Sequence, residues 1–305
     1  MKKIQLGKSN VEVSEIGLGC MRMDALSKQD AAEVIDNAAA SGIDFFDHAD
    51  IYGGGSSEEI FAEGLELSSA AREDIFLQTK CGIRKGFFDF SKEHILQSVD
   101  GSLERLKTDY IDILLLHRPD ALMEPEEVAE AFTALMESGK VKYFGVSNQN
   151  PMQVELLKKY VDQELIVNQL QLSIMQSGMI DAGLNVNMQH DPAIVRDGSI
   201  LDYSRLNDMT IQAWSPFQYG MMKGVFVGND KFPELNRKLQ EIANKYDITD
   251  SAAAIAWILR HPANIQAIVG TMNKERLAGI AGASDISITR EEWYEIYRAA
   301  GNDLP

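Results

Sequence analysis

Apolar residues along the 305-residue chain fall into short runs, separated by turn residues and by longer stretches with helical spacing. The runs are Val13–Gly19, Ile43–Phe46, Asp74–Thr79, Ile111–Leu116, Lys140–Val146, Leu165–Asn168, Met209–Ala213 and Ile265–Val269. Several, such as Ile113-Leu114-Leu115-Leu116, are continuous instead of alternating, as in strands covered on both faces. The stretches between them carry helix punctuation. Ser91 stands as a cap before Ile95, Val99, Leu103 and Leu106, which share one helical face. Pro125 occupies a first helical position and Gly139 a stop. Asn150-Pro151 opens another helix carrying Val154 and Leu157, and Asp250 opens one carrying Ile255, Trp257 and Ile258.

Eight strands alternating with helices form either a closed barrel or a long doubly wound sheet. No G-x-G-x-x-G follows any run and no G-x-x-x-x-G-K-[ST] occurs, which disfavours the dinucleotide-binding sheet and the P-loop. The pattern therefore predicts an α/β fold, a (β/α)8 TIM barrel, as one domain over residues 1–305. Residues 1–12 read as a hairpin turning at Gly7-Lys8-Ser9-Asn10, and two long loops are expected, Ile174 to Ile200 and Trp214 to Pro233.

Charge narrows the partners. Lys and Arg number 29 against 46 Asp and Glu, a formal net charge of −17. Such a surface repels phosphodiester backbones and anionic membranes, so neither nucleic acid nor membrane is an expected partner. A phosphorylated cofactor stays compatible, because its site needs only a few local cations and backbone N–H groups. The two cysteines, Cys20 and Cys81, lie at the ends of apolar runs with no metal-like spacing, and read as buried thiols in a reducing compartment. Met1-Lys2-Lys3 has no apolar stretch behind it, and no run reaches the roughly eighteen apolar residues of a spanning helix. A cytoplasmic monomer is expected.

In a barrel of this kind reactive groups gather at the strand C-termini. The residues that close the runs are Asp47, followed by His48-Ala49-Asp50-Ile51-Tyr52-Gly53; Lys80; His117; Ser147 and Asn148; Asn168 and Gln169; Trp214-Ser215-Pro216; and Gly270-Thr271. Each alone has a plain structural reading as a surface lysine, a core histidine or a helix cap. Seven strand ends carrying such residues together point to a site.

Asp47-His48-Ala49-Asp50-Ile51-Tyr52-Gly53, Lys80, Leu115-Leu116-His117, Gly145-Val146-Ser147-Asn148, Asn168-Gln169 and Gly270-Thr271-Met272-Asn273-Lys274-Glu275-Arg276 resemble, in order and spacing, the signatures of the aldo-keto reductase superfamily. The resemblance runs from about Leu6 to Arg290, and Trp214-Ser215-Pro216 with the acidic composition is similar to its bacterial branch. It implies reduction of an aldehyde or ketone by hydride transfer from NADP(H), with a small-molecule carbonyl as substrate. Tyr52 is then the general acid, Lys80 and Asp47 tune it, and His117 orients the carbonyl. Tyrosine ionises near pH 10, and lowering that by about three units takes roughly 4 kcal/mol, about what an ammonium ~4 Å away supplies. Lys80 alone is thus expected to bring Tyr52 toward neutrality.

The resemblance also implies that Ser147, Asn148 and Gln169 hold the nicotinamide carboxamide and that the ring stacks on Trp214, where the family often has Tyr. The loop Ser215-Pro216-Phe217-Gln218-Tyr219-Gly220-Met221-Met222-Lys223-Gly224 is similar to the family's pyrophosphate wrap, with Gly220 allowing close approach and Lys223 adding charge. Gly270, Thr271, Asn273 and Arg276 then meet the adenosine end, and the planar Arg276 fork suits a 2′-phosphate, favouring NADPH over NADH. Two departures stand out: Gly270 where some members carry Lys, and Gly279-Ile280 where polar residues often meet adenine.

Other features read as structural. Gly53-Gly54-Gly55 precedes a helix start and reads as a turn. Neither His48 nor Asp50 takes a role. Met21, Met23, Met175, Met221 and Met222 either line an adaptable pocket mouth or fill core. The resemblance leaves room for a cofactor-sensing partner subunit with little turnover, as in potassium-channel β subunits. The barrel by itself leaves room for an isomerase or aldolase in which Lys80 forms a Schiff base.

Overall fold

The computed structural model describes residues 1–305 and forms the expected (β/α)8 barrel with an N-terminal hairpin. The hairpin pairs β1 (Lys3–Gln5) with β2 (Glu12–Ser14), antiparallel. The barrel begins at β3 (Ile16–Gly19), β4 (Phe45–Asp47) and β5 (Phe76–Cys81). After a short ribbon of β6 (Ile83–Arg84) and β7 (Phe87–Phe88), it continues through β8 (Ile111–Leu116), β9 (Val141–Ser147), β10 (Leu165–Gln171), β11 (Thr210–Trp214) and β12 (Ile265–Val269). All eight barrel strands are parallel and close in chain order, with β12 pairing back onto β3.

Eleven α-helices surround or follow them: α1 (Lys28–Ala40), α2 (Ser56–Leu67), α3 (Lys92–Leu106), α4 (Pro125–Glu137), α5 (Pro151–Lys158), α6 (Gly178–Leu184), α7 (Ile200–Leu206), α8 (Pro233–Tyr246), α9 (Asp250–Leu259), α10 (Lys274–Ala281) and α11 (Arg290–Ala299). Their starts follow the punctuation. Ser91 accepts a hydrogen bond from the His94 backbone N–H, and Asn150 with Gln153 forms a capping box around Pro151. The cap of α9 is Thr249, so Asp250 is its first helical residue. Trp257 and Trp293 clamp α9 to α11: their rings stack, and each indole N–H donates to the other's backbone carbonyl at 3.0–3.1 Å. No helix is long and apolar enough to cross a membrane.

The first run divides at Glu15, because Ser14 still belongs to the hairpin and the barrel strand starts at Ile16. The hairpin closes the barrel floor, placing Ile4, Leu6, Val11 and Val13 against Ile113, Leu115, Ile166 and Ile268. Its turn must hold glycine. Gly7 has φ +56°, and a Cβ there would fall 2.6 Å from the Ile166 carbonyl oxygen. The loop from Ile174 to Ile200 is partly ordered as α6, whereas Trp214 to Pro233 is irregular, pinned by a bridge between Gln218 and Val225.

The barrel bore is partly polar. Gln169, Gln212 and Gln266 are register partners on β10, β11 and β12, as Asp47 and Gln78 are on β4 and β5. All five are buried. Gln78 Nε2 reaches across the bore to Gln212 Oε1 at 2.9 Å, and Gln212 Nε2 donates to Gln266 Oε1 at 2.9 Å. Gln266 Nε2 donates to the Ser14 carbonyl at 2.8 Å. Buried amides are tolerated when they are bonded to one another, and this layer links the floor of the barrel to the site at its mouth.

Candidate active site

Asp47 ends β4 pointing into the bore, and Lys80 lies on the neighbouring β5. Lys80 is fully buried, with its Nζ 2.7 and 2.8 Å from the two carboxylate oxygens of Asp47. It also donates to the His48 carbonyl at 2.7 Å and to the Tyr52 hydroxyl at 3.2 Å. Asp47 Oδ1 accepts further bonds from Gln78 at 2.6 Å and Gln169 at 3.0 Å. A buried ion pair is tolerable only when such additional bonds complete it. Burial alone pulls the lysine down, but the Asp47 carboxylate and Tyr52 outweigh it, so Lys80 titrates above its ordinary value and stays charged.

Tyr52 is carried by a one-turn 3-10 segment, Tyr52–Gly55, in which Gly53, Gly54 and Gly55 all take positive φ. The three glycines form a turn that leads into α2, as their sequence context suggests. The expected lowering of the Tyr52 pKa is corrected by the structure. Burial raises it, Lys80 opposes, and Asp47 adds to the rise, so the net shift is upward. The cation bonds the phenol directly, but burial and the Asp47 carboxylate together outweigh it.

His117 follows β8, with its ring edge-on to Tyr52 at a centroid distance of 5.9 Å. Its Nδ1 is sealed in without a partner. Burial, then the charges of Lys80 and Arg118, hold it well below the usual histidine range, so the ring is neutral.

A pocket of about 860 Å³ opens at the strand C-termini and gathers most of the sequence-predicted residues. Asp47, Tyr52, His117, Ser147, Asn148, Gln169, Trp214, Ser215, Phe217, Gly270, Thr271, Asn273 and Arg276 all line it. Lys80 sits behind Tyr52 and does not reach the wall. Gly220 and Lys223 are not brought to it: the lysine stem folds back over Gly220 and the loop turns both away. Met21, Met221 and Met222 face the pocket, whereas Met23 is buried in the core and Met175 packs against it.

The side of the mouth around β9 to β11 is a hydrogen-bonded set. The Trp214 indole N–H donates to Asn148 Oδ1 at 3.1 Å, Asn148 Nδ2 to Ser147 Oγ at 2.7 Å, and Ser147 Oγ to the Gln169 carbonyl at 2.9 Å. Asn148 and Ser215 both hold left-handed backbone, φ +57° and +53°. Across the mouth, Asn273 caps α10 by accepting from the Arg276 N–H at 2.8 Å. The Arg276 guanidinium is exposed and forms no ion pair. A flat indole, a cluster of amides and hydroxyls, and a capped helix start bearing a free guanidinium suit the three parts of a phosphorylated nicotinamide dinucleotide.

Two lining arginines escaped the sequence reading. Arg22 follows β3 and donates to the Gly270 carbonyl at 2.8 Å, and Arg118 follows His117 directly. The signal for both was position, since each sits within three residues of a strand end.

Comparison with known proteins agrees with this geometry. The Aldo/keto reductase family model matches residues 15–300. Among known sequences, the chain is 38% identical over the full length of both chains to an uncharacterized oxidoreductase, YcsN, of Bacillus subtilis strain 168. It is 35% identical, over 98% of each chain, to a 6-dehydroglucose reductase of Agrobacterium fabrum strain C58. Among solved structures, a thermostable aldo-keto reductase, Tm1743, in complex with the inhibitor epalrestat superposes with a TM-score of 0.78 at 26% identity, over 98% of this chain and all of that one.

Proposed function

This chain belongs to the aldo/keto reductase family of oxidoreductases, and on that premise we propose that it reduces an aldehyde or ketone with NADPH, Tyr52 delivering the proton. One observation carries the proposal. The Tyr52 hydroxyl lies 3.2 Å from the Nζ of a buried, ion-paired Lys80, beside a neutral His117, on the wall of the pocket that opens at the strand C-termini.

When bound, the nicotinamide supplies a hydride equivalent to the carbonyl carbon, and the residues of the chain manage the oxygen. His117 orients that oxygen. With Nδ1 buried and unpartnered, the tautomer bearing its proton on Nε2 leaves only an acceptor unsatisfied, which is cheaper than an orphaned N–H, and frees Nε2–H to donate. Tyr52 holds its proton throughout the neutral range, because burial raises its pKa. As charge builds on the oxygen, the phenol gives up that proton, and the Lys80 ammonium stabilises the resulting phenolate until solvent reprotonates it. Asp47, with Gln78 and Gln169, keeps Lys80 charged and in place. Gln169 spends its two amide N–H donors on Asp47 and Gln212, so its part in holding a carboxamide falls to Oε1. Ser147, Asn148 and Trp214 form the nicotinamide wall, with Ser215 and Phe217 beside it. Gly270, Thr271, Asn273 and Arg276 take the adenosine end, the 2′-phosphate pairing with Arg276.

Fluorescence titration with NADPH and with NADH tests the cofactor assignment. Saturable binding of NADPH, clearly tighter than NADH, is expected, and Arg276→Ala should remove most of the difference. Equal losses for both cofactors would sink the phosphate contact, and binding of neither would sink the reductase. Tyr52→Phe should lower turnover by about 10²-fold or more with NADPH affinity unchanged; surviving turnover would mean that another group supplies the proton.

A further inference from the structure

Arg118 is a guanidinium with no counter-charge. It is half-buried, lines the pocket directly after His117, and makes no hydrogen bond or ion pair with any group of the chain. The neighbouring acid, Asp120, forms no ion pair with it; its two carboxylate oxygens accept the backbone N–H groups of Phe90 at 2.9 Å and Leu122 at 2.8 Å. Its guanidinium carbon lies 5.6 Å from the centroid of the Trp214 ring. Withdrawing a guanidinium from water without an anion is unfavourable, and burial accordingly pulls its pKa down while the Tyr52 oxygen pulls it up. A site that keeps such a group is built for something the chain does not itself contain.

Its place in the barrel says what. In the closed order β3-β4-β5-β8-β9-β10-β11-β12, β8 lies diametrically opposite β12. Arg22 is bonded to the end of β12 and Arg276 stands on the helix that follows, so the groups suited to a dinucleotide's phosphates are across the mouth from Arg118. Arg118 instead shares its corner with the reacting groups, close enough for its charge to act on both His117 and Tyr52. The charged residues lining the pocket are three arginines and Asp47, and Lys80 already neutralises Asp47. The pocket is therefore a positive recess in a chain of net charge −17, where a local field favours anions despite the acidic surface. The Arg118 guanidinium bonds to no group of the chain, so its N–H groups are free, and their planar fork matches two oxygens of an oxoanion.

We propose that Arg118 forms an anion subsite of the substrate pocket, so that the preferred substrates are aldehydes or ketones bearing a carboxylate or similar oxoanion a few bonds from the reacting carbonyl. The proposal rests on the reductase reading and deepens it. Arg118 acts here as the specificity-determining residue, leaving the proton transfer itself to Tyr52.

The experiment compares matched pairs with NADPH: succinic semialdehyde against butanal, and para-carboxybenzaldehyde against benzaldehyde, for the wild type, Arg118→Gln and Arg118→Lys. A charge-assisted hydrogen bond contributes about 1.5–3 kcal/mol, roughly ten- to a hundredfold. The wild type should favour the charged member of each pair by about tenfold or more in kcat/KM, mostly through KM. Arg118→Gln should remove that preference while leaving the neutral member within about threefold and the NADPH dissociation constant unchanged, and Arg118→Lys should restore part of it. Equal or better turnover of the neutral members by the wild type would overturn the proposal. So would an equal loss for both members in Arg118→Gln, or a rise in the NADPH dissociation constant that matches the loss, since Arg118 would then serve the cofactor phosphates. If NADPH binds but no aldehyde turns over, the reductase reading fails on its own. The subsite is then judged by whether succinate, titrated against the NADPH complex and read by tryptophan fluorescence, binds the wild type and not Arg118→Gln; absence of that difference overturns it too.

Discussion

Asp47 and Asp50 lie three residues apart on one segment, and the fold treats them oppositely. Asp47 turns into the bore, where both its oxygens meet the Lys80 ammonium and two glutamine amides complete it. Asp50 turns toward α2 and α3. There the Arg105 guanidinium already bonds the buried Glu58 at 2.8 Å, and one Asp50 oxygen is left without a partner. Burial, with Glu58 adding to it, pushes Asp50 up to about 7. Asp47 is buried against its own cation, whereas the partly buried Asp50 has no cation to itself and is pushed toward its neutral form. A strand-end aspartate becomes part of a site through the charge the neighbouring strand supplies.

The largest effect should come from breaking the satisfied pair. Lys80→Met leaves Asp47 buried and uncompensated, and should lower unfolding free energy by about 3–5 kcal/mol in urea titrations, with loss of turnover. Adding Asp47→Asn to it removes the stranded charge and should recover much of the stability but none of the activity. A Lys80→Met protein as stable as the wild type would mean that the pair is not held as described.

Asp50→Asn should act the other way, and only at higher pH. A carboxyl whose folded pKa is raised binds its proton more tightly in the folded state, so the wild type loses stability as pH rises from about 4 to 7. The variant should therefore match the wild type near pH 4 and exceed it at pH 8, and a gain independent of pH would break the comparison. His48 provides the converse and smaller test. Burial, then Lys80, hold it down at about 3, both its nitrogens are without partners, and its ring packs edge-on against Phe61. The folded state resists its protonation, so stability should fall as pH drops from about 6.5 toward 3, and His48→Leu should flatten that limb.

What the sequence reading reached and missed divides along the same line. Continuous runs such as Ile113 to Leu116 reveal their strands because nothing polar interrupts them. The strand ended at Asn168 in that reading in fact runs through Gln171, and the one ended at Thr79 runs through Cys81. In both, buried polar side chains interrupt the apolar pattern while bonding to one another across the bore or to the backbone, so they look like termini when they are interior. Tyr52, Lys80 and His117 stood out because each follows closely on an apolar run. The Glu58, Arg105 and Asp50 cluster was not, since its members come from a helix, another helix and a loop with no shared motif. Arg118 was in view but unremarked, for an arginine after a strand reads as surface until its lack of a partner is seen.

The amide layer also bears on how the molecule assembles. Gln78 meets Gln212 across 134 positions of chain, and Ser14 meets Gln266 across 252. A nascent chain that has made its first seven barrel strands still lacks the acceptor for the Gln212 amide and the donor for the Ser14 carbonyl. Water must serve these groups until β12 arrives. Contacts so distant close slowly, since loop entropy is spent before they repay it. The last strand thus completes the chain's earliest bonds, and a partly synthesised barrel remains wet inside until its final strand excludes the solvent.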